Sequence, residues 1–126
     1  MVLKVSYPKN TFTSITKRKY TFEQLMVKTK NKFWSQEFSI KTLERLRNVC
    51  MKLYHTIDVQ TRDNVIDNIN LSDDGFFNAI GNIIRLPKNK FLSVIQKPSE
   101  YKKYAKEDSS IFSMISVFIS ETNYIN

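Results

Sequence analysis

Leu43, Leu46, Cys50, Leu53, Tyr54 and Ile57 fall on one face of a helix that turns about 100° per residue. No Gly or Pro interrupts the run, and Ser39 stands before it as an N-cap. This segment, from Ile40 to about Ile57, is the clearest element in the chain. The 126 residues contain only two Gly and three Pro, which favours long regular elements over a turn-rich sandwich or barrel. Hydrophobic residues at 41% and aromatics at 13% suffice for a core, and the length fits one domain, residues 1–126.

The remaining segments read as follows. Val2–Tyr7 is rich in strand formers, Pro8-Lys9-Asn10 reads as a turn, and Phe12–Thr16 reads as a second strand, so a small hairpin is expected. Thr21-Phe22-Glu23-Gln24 matches a capping box. It opens a helix from Phe22 to about Phe33 whose apolar face is Phe22, Leu25, Met26, Thr29 and Phe33. A shorter helix is expected over Thr61–Ile69. Ser72 caps another, Asp73–Leu86, with Asp73 and Asp74 in its first turn and Pro87 as its stop. Asn89–Gln96 reads as a short apolar helix, and Ser99–Lys106 as a polar turn or two. Ile111 to about Glu121 is apolar over most of its circumference, with a narrow strip of Ser113, Ser116 and Ser120. A helix of that kind sits at the centre of a bundle or in a subunit interface, so a homodimer is expected slightly more often than a monomer. The fold class expected is mainly α: a compact bundle of about five to six helices with a small N-terminal β-hairpin.

Charge divides the chain. Residues 1–60 carry 12 Lys/Arg against 4 Asp/Glu, whereas residues 61–126 carry 8 of each, so the first half holds the whole net charge of +8. Such a field concerns partners more than fold. Lys41, Arg45, Asn48 and Lys52 are spaced i, i+4, i+7 and i+11, one stripe opposite the apolar face of their helix. Lys17-Arg18-Lys19 forms a compact cluster before the first helix, and Lys28, Lys30 and Lys32 add to it. Tyr7, Phe12, Tyr20, Phe33 and Trp34 are interleaved with these cations. Lysines and arginines meet phosphates, and exposed aromatics stack on bases. The competing reading is a solvated helix surface in a Lys-rich chain, which accounts for any single stripe about as well.

Residues 62–82 fit the apolar skeleton of a helix-turn-helix at Val65, Ile69, Leu71, Phe76 and Ala79. Ile66 is large where a small residue is usual, and Asn70 replaces the usual turn Gly. The recognition helix would open with Ser72-Asp73-Asp74 and turn two carboxylates toward phosphates, which argues against groove entry. The segment reads instead as a scaffolding helix pair, and the helix from residue 40 is the better candidate for DNA.

Signals for enzymes are missing. The one His and the one Cys, His55 and Cys50, lie five positions apart, about 140° around a helix, and cannot act together. Cys50 reads as core and His55 as solvated. No further Cys or His completes a zinc site, and no Gly-rich phosphate loop is present. Asp63, Asp67, Asp73 and Asp74 are explained by caps and surface charge more simply than by a Mg²⁺ cluster. No catalytic residue, metal or cofactor is expected. A lone Cys fits a reducing compartment. Met1–Tyr7 has no signal-peptide run, and Ile111–Ile119 is shorter than the roughly 20 residues a bilayer needs, so an intracellular protein with no membrane partner is expected. Ile, Lys and Asn make 39 of 126 residues, which points to an A/T-rich genome such as those of viruses, phages and low-GC bacteria.

Two readings stay open. One is a non-enzymatic protein that binds nucleic acid, or serves a nucleic-acid complex, through its basic N-terminal half with Lys17, Arg18, Lys19, Lys41, Arg45, Asn48 and Lys52. The other is a helical interaction module, a viral or phage inhibitor of a host protein, steered by charge to an acidic protein surface. The first is slightly favoured.

Overall fold

The computed structural model of the protein describes residues 2–63, 71–105, 111, 112 and 115. It is mainly helical with one small antiparallel hairpin. The order is β1 (Thr11–Thr13), β2 (Lys19–Thr21), α1 (Phe22–Lys28), a 3-10 helix (Trp34–Glu37), α2 (Ile40–Asp63), α3 (Asp73–Ile84), α4 (Lys88–Ile95) and a second 3-10 helix (Pro98–Tyr104). The expected helix over Thr61–Ile69 lies beyond residue 63 outside the described residues. So does most of the expected final helix, of which Ile111, Phe112 and Ile115 are helical and buried.

The caps form as the local sequence dictates. Thr21 Oγ1 accepts from the Gln24 N–H at 3.2 Å while Gln24 Oε1 accepts from the Thr21 N–H at 3.0 Å, a complete capping box. Ser39 Oγ accepts from the Thr42 N–H at 3.2 Å and Ser72 Oγ from the Gly75 N–H at 3.1 Å. The stripe on α2 faces inward: Leu43, Leu46, Cys50, Leu53 and Ile57 are buried, and Tyr54 is half-buried. They meet α3, which buries Phe76, Ala79, Ile80, Ile83 and Ile84 and packs on α2, α4 and the Pro98–Tyr104 turn. Phe77 stacks on Phe112 at 4.4 Å between ring centroids, with Tyr54 edge-on to both, so the start of the last segment closes the core.

Three expectations are corrected. The hairpin exists but is shifted: of the expected second strand, Phe12–Thr16, only Phe12 and Thr13 fall in β1, whose partner is residues 19–21, with Thr11 opposite Thr21 and Thr13 opposite Lys19. The turn is Ser14–Lys17. The Lys17 N–H donates to Ser14 O, the Ser14 N–H to Arg18 O and the Arg18 N–H to Ser14 Oγ, with Lys17 at a left-handed φ of 68°. Among the described residues Val2–Tyr7 pairs with no strand, although it buries Leu3 and Tyr7.

The first helix stops at Lys28 rather than near Phe33. Thr29 donates its hydroxyl back to Met26 O at 2.6 Å, and Asn31 Oδ1 accepts from the Phe33 N–H at 3.0 Å, a local turn that competes with helix. Trp34 then points inward at 2% exposure, and Phe33 is left 56% exposed.

The central helix continues past Ile57 to Asp63 without a break. Thr61, expected to start a new helix, is buried instead. Its hydroxyl donates to the carbonyls of Ile57 and Asp58, both at 2.9 Å, which satisfies it inside the helix.

Candidate nucleic-acid interface

The N-terminal segment takes its path from two glutamine side chains. Gln96, just after α4, accepts the Leu3 N–H on Oε1 and donates Nε2–H to the Leu3 carbonyl, both at 2.8 Å. Gln60 on α2 does the same for Lys4. In an extended chain the backbone groups of successive residues point to opposite sides. Two carboxamides, one within α2 and one just after α4, therefore hold successive residues of the segment by their backbone groups, each standing in for a neighbouring strand.

This arm lies along the polar side of α2 and leaves a groove of about 590 Å³ between them. Lys4, Ser6, Pro8 and Asn10 line one side, and Arg45, Asn48, Val49, Lys52, Leu53 and Thr56 the other. Three cations line the groove and no carboxylate does. Neither Lys4 nor Lys52 has an ion-pair partner among the described residues. Arg45 is fixed in place: its Nη1 donates to Thr11 O of β1 at 2.7 Å, and the guanidinium lies 4.9 Å over the Phe12 ring. Its other N–H groups are thereby preoriented.

The structure divides the residues singled out in the sequence. Arg45, Asn48 and Lys52 line this groove together, whereas Lys41 is exposed and outside it. The Lys17-Arg18-Lys19 cluster sits at the hairpin turn and the start of β2. Arg18 and Lys19 line a second groove of about 690 Å³ with Tyr20, Gln24, Val27, Lys28 and the carboxylate-bearing Glu23. Lys28 is engaged by Glu37 at 2.9 Å and lies over Tyr20; the Glu37 hydrogen bond raises its pKa. The aromatics expected to stack on bases are mostly absorbed by the fold. Tyr7, Phe12 and Trp34 are buried, Tyr20 is half-buried edge-on to Phe38, and Phe33 alone of the five is exposed, with Lys32 over its ring.

Lys4, Ser6, Asn10 and Thr56 were not singled out from the sequence. No periodicity relates the arm to α2. The available signal was Gln60, a polar residue toward the end of a long helix, and it names no partner.

Cys50 is buried, and burial pushes its thiol up to about 12. His55, five residues on, is exposed. Asp73 and Asp74 are both exposed in the first turn of α3, where carboxylates complement the helix dipole and repel phosphate. The Asp63 side chain, Asp67 and the 64–70 half of the helix-turn-helix skeleton lie outside the described residues. Among the described residues no cluster of three or more His, Cys, Asp or Glu is placed to hold a metal, and no helix is long and apolar enough to cross a membrane. No protein-family model, curated protein or solved structure matches the chain.

Proposed function

We propose that this chain is a non-enzymatic nucleic-acid-binding protein whose contact surface is the basic groove between the N-terminal arm and α2. The observation that carries the reading is the convergence of Lys4, Arg45 and Lys52 on one groove lined by no carboxylate. Cations that face one another across a concavity focus their field into it and draw a polyanion there, and each phosphate they neutralise releases counterions. The Lys17-Arg18-Lys19 cluster is assigned a weaker, steering role, because its groove contains Glu23.

The test is fluorescence anisotropy with labelled DNA and RNA at several salt concentrations. Asn48→Glu combined with Lys52→Glu cancels the groove's positive charge, setting two carboxylates against Lys4 and Arg45, while leaving the apolar face of α2 and the Arg45–Thr11 bond intact. Affinity is expected to fall for every sequence, with an unchanged circular-dichroism spectrum. If wild type does not bind at low salt, or the double variant binds as well as wild type, the reading is wrong and an acidic protein partner leads.

A further inference from the structure

We infer that the groove between the arm and α2 receives one strand of nucleic acid by its phosphodiester backbone, without reading its bases. This rests on the nucleic-acid reading above and specifies the form of the ligand.

The first reason is steric. A bare helix, about 10–12 Å across with its side chains, fits a B-DNA major groove about 12 Å wide. The polar side of α2 is not bare. The arm is tied to it through Gln60 and Lys4, and β1 through Arg45 and Thr11. A chain lying alongside a helix adds roughly another 5 Å of backbone spacing, so the combination is too broad to enter. Insertion of α2 into a duplex, the geometry its basic stripe invites, is closed off by the protein's own N-terminus.

The second reason is shape. A duplex presents its phosphates on a convex rod wider than its own major groove of about 12 Å, and meets only the rims of a concave site. The groove's volume of about 590 Å³ falls within the usual range of ligand clefts, about 300–1,000 Å³, and suits a short stretch of single strand. Lys4 on one wall and Arg45 and Lys52 on the other contact such a strand from two sides.

The third reason concerns what the groove omits. No aromatic side chain lines it. Base stacking is the usual second component of single-strand sites, and without it recognition falls to the phosphates, with the bases turned outward. The walls are also preformed. Gln60 holds the Lys4 backbone at both its N–H and its carbonyl, and Thr11 with Phe12 holds the Arg45 guanidinium. The backbone of the walls and the Arg45 guanidinium need no reordering on binding, which leaves the Lys4 and Lys52 side chains to be ordered.

The experiment uses the full chain, labelled oligothymidylate of about a dozen nucleotides, an RNA of mixed sequence and the same length, and a duplex matched in total phosphates. Polyglutamate of matched charge serves as competitor. Wild type is expected to bind both single strands alike and the duplex at least about tenfold more weakly. Lys4→Glu with Lys52→Glu is expected to weaken single-strand binding by about one to two orders of magnitude at low salt. It should reduce the salt slope by about 0.7 per lost contact. Lys90→Glu with Lys102→Glu, both exposed and outside either groove, makes the same change of net charge and is expected to change affinity by less than about threefold.

Equal affinity for the duplex, or equal losses from the two double variants, overturns the single-strand site while leaving nucleic-acid binding in place. A strong preference among oligonucleotide sequences overturns backbone-only recognition. Competition by polyglutamate as effective as by oligothymidylate overturns the nucleic-acid reading itself.

Discussion

Gln96 pairs with the backbone of Leu3, 93 positions away, as a neighbouring strand would, giving one hydrogen bond and taking another at 2.8 Å each. Leu3 is 4% exposed, and its amide and carbonyl find their partners in the Gln96 carboxamide. The pairing joins the first residues of the chain to the end of α4 and, through Gln60, to α2. Gln96→Ala is expected to cost about 1–3 kcal/mol, the penalty for leaving buried backbone groups unpaired. Gln96→Glu keeps an acceptor for the Leu3 N–H but loses the donor to its carbonyl, and should be no better at neutral pH. Urea midpoints check the stability, and hydrogen exchange at the Leu3 amide shows whether the loss is local to the arm.

Glu23 on α1 supplies the N-terminal cap that α4 lacks. Pro87 occupies the N-cap position with no side-chain bond to give, and the Glu23 carboxylate accepts from the Lys88 N–H instead. A carboxylate there also meets the positive end of the helix dipole. Glu23→Ala is expected to destabilise the protein by about 1 kcal/mol, and Glu23→Gln by roughly half as much, since it keeps an acceptor and loses the charge. Urea titrations at low and high salt separate these contributions: the difference between the Gln and Ala variants should persist in salt, and that between Glu and Gln should shrink.

The Tyr7 hydroxyl is buried and has no hydrogen-bond partner among the described residues, although its ring packs edge-on against Phe22 and Phe91 at 5.3 and 5.4 Å. Tyr7→Phe preserves the ring contacts and removes the unpaired oxygen. It is expected to raise stability by about 1 kcal/mol, measured as a shift of the urea midpoint at unchanged slope.

Alkaline pH should unfold the protein by a route that begins at Cys50. Burial raises its thiol pKa from 9.0 to about 12, so above pH 9 the unfolded chain releases a proton that the folded chain retains. The unfolded state then binds fewer protons, and stability, fully present below pH 9, falls as pH rises toward 12, by at most about 1.4 kcal/mol per pH unit from this group. Tyr7 and Tyr101, both raised above 10.0 chiefly by burial, act in the same direction at higher pH. In Cys50→Ala the decline between pH 9 and 10 should flatten, leaving the tyrosine-driven loss above it. Urea midpoints across this range give the slopes, and a disulfide reagent at pH 8 should leave the native thiol of wild type unmodified.

The parts of this protein that were legible from its residues are those closed by neighbours within about four positions. Thr21 with Gln24, Ser39 with Thr42 and Ser72 with Gly75 form caps within three residues, and the stripe from Leu43 to Ile57 needs only helical geometry to define its inward face. Misreadings arose where a local signal was outcompeted. Pro8-Lys9-Asn10 looked like a turn, yet Ser14 bonds on both sides of the actual one. Phe33 kept the helical register of Phe22 and Leu25, yet the turn at Asn31 brought Trp34 inward in its place. The strand formers in Val2–Tyr7 bury Leu3 and Tyr7 in the core without forming a strand, and they name no partner. The segment's partners, Gln60 and Gln96, lie 56 and 93 positions from the residues they hold. Hydrogen bonds of that range follow no period along the chain; they exist only once the core from Leu43 to Tyr101 has brought α2 and α4 to the arm. The same packing decided the interface. The polar stripe of Arg45, Asn48 and Lys52 is written into one helix face, but the second wall that turns this face into a groove, with Lys4 on it, came from the tertiary structure alone.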